Sequence, residues 1–227
     1  MVISDEEIKK RIVDSLYWDS SIDASKVEVT VDNGWVTLNG MVPSYTARVR
    51  ATDAACRIMD VIEVDNNLMI EYPPEVSVPA DADIKQNVLY NLAADPDMDT
   101  TDIRVSMSSG IVTLEGSVDA YWKKIEAEWI ACRARGVIDI VNELTVVPTR
   151  SIADRAIADD VRAALERNTR VSIEDVTIEV VDGIVTLTGR VPNWSARRAA
   201  VNAAEFTGGV VDVIDHLAIR QPLRVSP

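Results

Sequence analysis

Histidine, cysteine and phenylalanine are scarce in this sequence: its 227 residues include one histidine, two cysteines and one phenylalanine. A zinc site needs three or four nitrogen or sulfur ligands, and the candidates here are His216, Cys56 and Cys132. Two cysteines in a chain of this length do not form a disulfide framework, and no motif pairs a nucleophile with a base. The sequence therefore predicts no metal, no cofactor and no catalytic centre.

Basic charge and long apolar runs are also lacking. The formal net charge of −14 at pH 7 argues against a polyanionic partner such as nucleic acid or an anionic lipid surface, although it leaves room for a local basic patch. No stretch is long and apolar enough to span a membrane, and the start, from Met1 to Glu7, lacks the pattern of a secretory signal. We expect a cytoplasmic protein, or a periplasmic one if a signal peptide has been removed.

What the sequence does contain is one strand pattern that occurs three times. Residues 33–42, 109–118 and 182–191 share the pattern Gly-x-Val-Thr-Leu-x-Gly-x-Val or a close variant of it. Aligning the copies on their glycines requires no gaps within the unit, and the copies lie 76 and then 73 residues apart. The shared unit covers about 66 residues, and an offset held over that length is strong evidence for internal repetition.

Each unit has the same predicted order of elements. An apolar stripe at positions i, i+4 and i+8 predicts a first helix, and alternating apolar residues predict a strand after it. A two-residue turn containing glycine predicts a hairpin with the next strand, and a helix with an alanine face and a last strand complete the unit. These predictions depend on aligned residues such as Ile8, Ile84 and Ile157 in the first helix, Val29, Val105 and Ile178 in the first strand, Asn33-Gly34, Ser109-Gly110 and Asp182-Gly183 in the turn, and Ala51, Ala127 and Ala200 in the second helix.

The order αββαβ predicts an α+β fold of three tandem units, each a small three-stranded mixed sheet with two helices on one face. We expect domains at residues 1–72, 80–147 and 151–220, a stiff linker at 71–79, a shorter one at 147–150 and a frayed tail at 221–227. Gly136 and Gly209 predict a left-handed cap at the end of the second helix. Asp60 stands there in the first copy and predicts a looser or differently shaped cap.

The repeated unit resembles the BON (bacterial OsmY and nodulation) domain family. The resemblance is carried by the Gly-x-Val-Thr-Leu-x-Gly-x-Val strand, the alanine-bearing helix after it, and a tail that begins at Gly136-Val137 and at Gly209-Val210. Asp60-Val61 departs from that tail in the first copy. The resemblance implies a non-enzymatic protein, associated with the bacterial envelope or with stress, that binds phospholipid surfaces, hydrophobic ligands or other proteins.

Trp122 and Trp129 are the candidate interaction residues that stand out most. Seven residues apart on a predicted helix, they share one side of it, whereas the aligned residues of the other units are polar: Thr46 and Ser195, and Asp53 and Asn202. An extra apolar stripe is typical of an interface. Three interpretations stay open: packing against a sibling unit or another protomer, a partner protein, or a membrane surface.

Cations beside these tryptophans favour the membrane interpretation. Lys123, Lys124 and Arg133 flank them, and tryptophan with neighbouring cations suits a bilayer interface. If the stripe instead holds units or protomers together, Trp122→Ser with Trp129→Ser will loosen that docking, which sedimentation and scattering measure.

Three further residues belong to the predicted interaction surface. Trp35 lies on the strand face opposite the buried valines, and its siblings are apolar too, so the outer sheet faces are candidates for packing across units. Arg197 and Arg198 lie in the last unit, the least acidic of the three, and are suited to an anionic group. Taken together, the sequence predicts a binding or scaffolding protein that binds proteins or hydrophobic ligands or self-associates; the alternative is a peripheral phospholipid-binding protein.

Overall fold

The structure is a computed structural model, which describes residues 3–72, 76–167 and 176–220. Residues 73–75 of the predicted linker and the predicted tail at 221–227 lie outside the described residues. The helices and strands follow the order αββαβ in three successive repeats. Repeat 1 contains α1 (Asp5–Tyr17), β1 (Val27–Asp32), β2 (Trp35–Val42), α2 (Tyr45–Cys56) and β3 (Glu63–Ile70); repeat 2 contains α3 (Asp81–Ala94), β4 (Ile103–Ser108), β5 (Ile111–Val118), α4 (Tyr121–Cys132) and β6 (Asp139–Val146); repeat 3 contains α5 (Asp154–Glu166), β7 (Val176–Val181), β8 (Ile184–Val191), α6 (Trp194–Glu205) and β9 (Asp212–Ile219).

Each repeat has one three-stranded sheet with its second strand in the centre. In repeat 1, β1 pairs with β2 antiparallel, with Val29 opposite Leu38, and β2 pairs with β3 parallel, with Trp35 opposite Glu63. Repeat 2 has the same register. The parallel pair needs a crossover, which the second helix supplies. The prediction of an α+β chain of three mixed sheets is confirmed.

The core of each repeat lies between the two helices and one face of the sheet. In repeat 1 the apolar stripe of α1, the alanine face of α2 and the inward residues of the strands form one buried cluster. Alanine at three successive turns of α2 lets that helix lie close to the sheet. The cluster includes Ile8, Ile12, Leu16, Ala47, Ala51, Ala55, Val36 and Leu38, each at most 1% exposed.

A carboxylate at the start of the first helix holds the hairpin turn in all three repeats. The Asp81 carboxylate accepts hydrogen bonds from the backbone N–H groups of Ser109 at 2.7 Å and Gly110 at 3.1 Å. Asp5 in repeat 1 and Asp154 in repeat 3 accept the corresponding pairs. Both turn residues have positive φ, 51° and 81° in repeat 2, as a two-residue hairpin turn requires. We call this contact the aspartate clip.

The prediction about Asp60 needs a correction. Asp60 has a φ of 67°, in the same left-handed region as Gly136 at 102° and Gly209 at 85°. Its backbone conformation is therefore equivalent, and its side chain adds a hydrogen bond, because Oδ2 accepts from the N–H of Ile3 at 2.9 Å. Asp60 and Gly136 also lie beyond the helix caps, because the C-cap residues that follow α2 and α4 are Arg57 and Arg133, both in the right-handed region.

The chain divides into two compact units. The first comprises the described parts of residues 1–77, 190–197 and 219–227, and the second comprises residues 78–189 and 198–218. Repeat 3 thus contributes residues 190–197 and its last described residues, 219–220, to the first unit, while most of it belongs to the second.

Candidate interaction surfaces

Among the described residues, no three side chains of His, Cys, Asp or Glu are grouped so as to hold a metal ion. No helix in this part of the chain is long and apolar enough to cross a membrane. His216 is exposed on β9, whereas Cys132 is buried and its thiol lies 3.1 Å from the carbonyl oxygen of Trp129.

The predicted stripe on α4 is half-buried rather than open. Trp122 and Trp129 are both of intermediate exposure. The ammonium of Lys123 lies 5.6 Å from the centre of the Trp122 ring and 2.8 Å from the Asp119 carboxylate, with its side chain 17% exposed. A cation that is already paired contributes little attraction to an anionic surface.

The other two predicted cations, Lys124 on α4 and Arg133 at its C-terminal cap, differ in their contacts. The carbonyl oxygen of Lys124 accepts a hydrogen bond from the Asn142 side chain at 2.9 Å. The Arg133 guanidinium lies 3.6 Å from the Glu126 carboxylate and is 62% exposed, so that pair is a solvated surface contact. The structure brings the five predicted residues together on α4 and its C-terminal cap, and it pairs two of the three cations, Lys123 and Arg133, with carboxylates.

Arg197 and Trp194 form a contact with repeat 1 inside the first unit. The Trp194 ring packs against the buried cluster of repeat 1. Arg197 lies 4.7 Å from the centre of that ring and 3.9 Å from the Glu63 carboxylate. Trp194 Nε1 is buried without a hydrogen-bond partner among the described residues. Arg197 therefore serves an internal contact, while Arg198 is exposed.

Tyr121, the residue of repeat 2 that aligns with Trp194, forms a comparable contact inside the second unit. It packs against the core of repeat 2 together with Val211 of repeat 3. Burial, together with the nearby carboxylates of Asp212 and Glu205, raises the pKa of Tyr121 to about 12. Asp212 aligns with Glu63, so two repeats use an aromatic residue at the start of the second helix against the start of another repeat's last strand.

Glu205 is a buried acid at this second contact. It is 8% exposed, and burial raises its pKa, an effect that Arg198 opposes and Asp215 reinforces. Cys56 and Cys132 occupy the aligned positions. A charged side chain thus replaces a small, weakly polar one at the end of α6.

The largest exposed aromatic surface among the described residues was missed by sequence reasoning. Tyr17 and Trp18 are 71% and 82% exposed, and their rings meet edge to face with centroids 5.6 Å apart. The aligned residues are Ala93 and Ala94 in repeat 2 and Glu166 and Arg167 in repeat 3. The comparison between siblings that selected Trp122 would also have selected this pair.

Trp35 lies on the open face of the first sheet. It is 54% exposed, and Met69, on the neighbouring strand, is 60% exposed. The aligned Ile111 is 37% exposed, and Ile184 is half-buried. The side chain of Trp35 is therefore more than half open to solvent.

Comparison with known proteins places the chain in a family. The BON domain matches three segments, residues 4–72, 80–148 and 153–221. These segments cover most of the sequence, so the chain belongs to the BON domain family and contains three copies of the domain. The predicted resemblance is confirmed.

Two curated proteins are similar to parts of the chain. Osmotically-inducible protein Y of Escherichia coli (strain K12) is 27% identical over 143 residues, which cover 60% of this chain and 71% of that protein. An uncharacterized protein in the gshII 5′ region of Anaplasma centrale is 27% identical over 125 residues, covering 53% of this chain and 83% of that protein.

Among solved structures, the chain is aligned with the C-terminal domain of CdsD, the structural protein of the type III secretion system of Chlamydia trachomatis. The identity is 16%, the alignment covers 97% of this chain and 100% of that one, and the TM-score is 0.27. A score this low carries no argument about fold or function.

Proposed function

We propose that this chain is a non-enzymatic, stress-associated binding and scaffolding protein, whose BON domains at residues 1–72, 80–147 and 151–220 bind other proteins or hydrophobic ligands. Membership of the BON family supports the proposal, as does similarity to a protein named as osmotically inducible. Three copies of one scaffold with different surfaces suit a protein that contacts several partners, because each copy can change its surface without changing its core.

The observation that carries the proposal is the exposed pair Tyr17 and Trp18. Aromatic side chains supply much of the binding energy at protein interfaces. Here two adjacent rings, 71% and 82% exposed, sit at the end of a well-packed helix whose residue Leu16 is 1% exposed. A rigid base beneath exposed rings reduces the ordering cost of binding.

Capture of binding partners from a native extract tests this function. We expect the full chain to enrich a set of proteins that Tyr17→Ser with Trp18→Ser fails to enrich, because both ring contacts are lost. Tyr90→Ser is the matched control, since Tyr90 is 75% exposed on the corresponding helix of repeat 2. Identical sets from wild type and the double variant would contradict the proposal.

Peripheral binding to phospholipid is the second candidate, and the same aromatic pair favours it. Aromatic rings with nearby cations suit the interface of a bilayer, and Lys9 and Lys10 are exposed on the same helix. Flotation with zwitterionic and anionic liposomes at low salt distinguishes the two. Co-flotation that Tyr17→Ser with Trp18→Ser abolishes supports the lipid function, whereas a protein that stays at the bottom of the gradient contradicts it.

A further inference from the structure

We infer that the outer face of the sheet in repeat 1 binds a cationic, extended segment of a partner protein. This inference rests on the proposed binding function and names both a surface and the chemistry of its occupant. The surface, which we call the acidic face, is formed by the outward residues of β1, β2 and β3. Its principal residues are Asp32, Trp35, Met41, Glu63, Asp65 and Met69.

The strand register places Trp35 between two carboxylates. Asp32 pairs with Trp35 across the antiparallel ladder, and Trp35 pairs with Glu63 across the parallel one. Neighbouring strands lie about 4.8 Å apart, so the indole has an acid on each side. Asp65 follows on the same face, opposite Thr37. A cation placed over the indole gains attraction from the ring and from the flanking carboxylates.

The other end of the acidic face is apolar. Met41 pairs with Met69, and these side chains are 37% and 60% exposed. Methionine side chains adapt to varied apolar partners. Six residues of strand separate Met41 from Trp35, a distance of about 20 Å, so an extended segment of six to seven residues spans the face.

The charge of the face selects the occupant. Its three strands carry the carboxylates of Glu28, Asp32, Glu63 and Asp65 and contain no lysine or arginine. Like charges at an interface oppose binding, so this face disfavours an anionic lipid surface or an acidic peptide and favours a basic one.

A contact within the protein shows that a guanidinium fits at this edge. Arg197 of repeat 3 lies 3.9 Å from the Glu63 carboxylate, while Glu63 remains 43% exposed. Of the other acids, Asp32 lies across the sheet from Glu63, on the far side of Trp35, and Asp65 lies two residues farther along β3. Asp32 and Asp65 are both exposed, so an incoming basic side chain can reach them without displacing Arg197.

The outer faces of repeats 2 and 3 differ from the acidic face in the residue at the tryptophan position and in their charge. The face of repeat 2 has Ile111 in place of Trp35, and it carries a cation, Arg104, opposite Glu115. Repeat 3 has Ile184 at that position and Arg190 on its central strand. The combination of an exposed indole, flanking acids and no cation on the strands therefore belongs to repeat 1.

Fluorescence anisotropy with a labelled nine-residue peptide of alternating arginine and valine tests the inference on the full chain. We expect saturable binding at low salt. Asp32→Asn with Asp65→Asn weakens it about tenfold, since two charge-assisted contacts are lost, and Trp35→Thr weakens it as well. The charge-matched control is Glu115→Gln with Glu143→Gln on the outer face of repeat 2, which leaves the affinity within about twofold. Circular dichroism melts verify that each variant is folded.

Equal weakening by the two charge-matched double variants would show non-specific attraction to an acidic protein and overturn the inference. So would failure of the wild-type chain to bind the peptide, or binding of an alternating glutamate and valine peptide with the same affinity. These outcomes are separate from the proposed function. If capture through Tyr17 and Trp18 succeeds while the arginine peptide does not bind, the binding protein stands and the acidic face fails.

Discussion

Repeats 1 and 2 are alike where Asp5 and Asp81 hold their hairpin turns and different where Trp35 and Ile111 follow those turns. Both aspartates accept two backbone hydrogen bonds at nearly the same distances. The residue one position beyond each turn points away from the core, and it is a tryptophan in one repeat and an isoleucine in the other. The fold thus fixes the residues that hold it together, and it leaves the outer face free to acquire different partners. Three changes test this division, from the largest expected effect to the smallest.

Substitution of the second glycine of the repeated strand pattern is expected to have the largest effect. Gly116 has a φ of 116°, and an added Cβ would overlap with the carbonyl oxygen of Asp102. Gly116→Ala therefore combines backbone strain with a clash against rigid main chain, and we expect repeat 2 to lose about 3 kcal/mol or more of unfolding free energy. Urea denaturation followed by circular dichroism measures this loss.

Gly208→Ala is the matched control for that change. Its added Cβ would lie 3.9 Å from Ile152 Cδ1, an ordinary contact, and its φ lies outside the positive range. We expect a shift within about 1 kcal/mol. Equal effects of the two substitutions would show that the close approach at Gly116 does not constrain repeat 2.

Removal of the aspartate clip is expected to have an intermediate effect. Asp81→Ala leaves the N–H groups of Ser109 and Gly110 without their acceptor. A hydrogen bond to a charged group contributes a net stabilisation of about 2 kcal/mol. We expect a loss of about 2 kcal/mol in unfolding free energy, measured as above. Asp83→Ala, an exposed acid in the same helical turn, should cost less than about 1 kcal/mol. A larger loss for Asp83 would assign the effect to the helix dipole instead.

The smallest effect concerns Glu205, where the siblings have cysteine. Burial raises the pKa of Glu205 above its ordinary value of 4.5, so the charged form opposes folding at pH 7. Glu205→Gln should melt a few degrees above wild type at pH 7. Because wild type gains stability as the pH falls through the raised pKa, this difference should shrink on acidification and vanish below about pH 4.5.

Comparison of wild type with Glu205→Gln at each pH separates the effect of Glu205 from that of acids whose pKa is lowered by folding. Hydrogen bonds from Ser21 lower the pKa of Asp19, and they do so equally in wild type and variant. Glu115→Gln, at an exposed position, should show no excess stability at either pH. If the melting temperature of Glu205→Gln exceeds that of wild type by the same amount from pH 7 to pH 4, ionisation of Glu205 does not cause the difference.

The sequence predicted the architecture because each repeat shows it in short-range patterns. The stripe Ile8, Ile12 and Leu16 marks a helix, and Asn33-Gly34 marks a hairpin, without reference to any other part of the chain. Three copies in register then reduced the ambiguity of each pattern. Local periodicity was sufficient for the order of elements, and pairing of the strands followed from that order.

The surfaces could not be predicted in the same way, since exposure depends on contacts distant in sequence. The sequence alone suggests that Arg197 is an exposed cation, yet it lies against Trp194 and Glu63. Trp122 is half-buried, and Lys123 above it is paired with Asp119. Tyr17 directly follows the buried Leu16, so the apolar stripe of α1 ends one residue before an exposed aromatic pair.

The aspartate clip has a consequence for how the hairpin turns exchange hydrogen with water. The amide hydrogens of a surface turn are ordinarily among the fastest in a protein to exchange with water, because they are exposed to solvent. Here the amides of Ser109 and Gly110 are bound to a side chain that belongs to the first turn of α3. Their exchange therefore requires that turn to fray or its carboxylate to swing away, so the rate measured at the loop tip reports the opening of a helix 28 residues earlier in the chain.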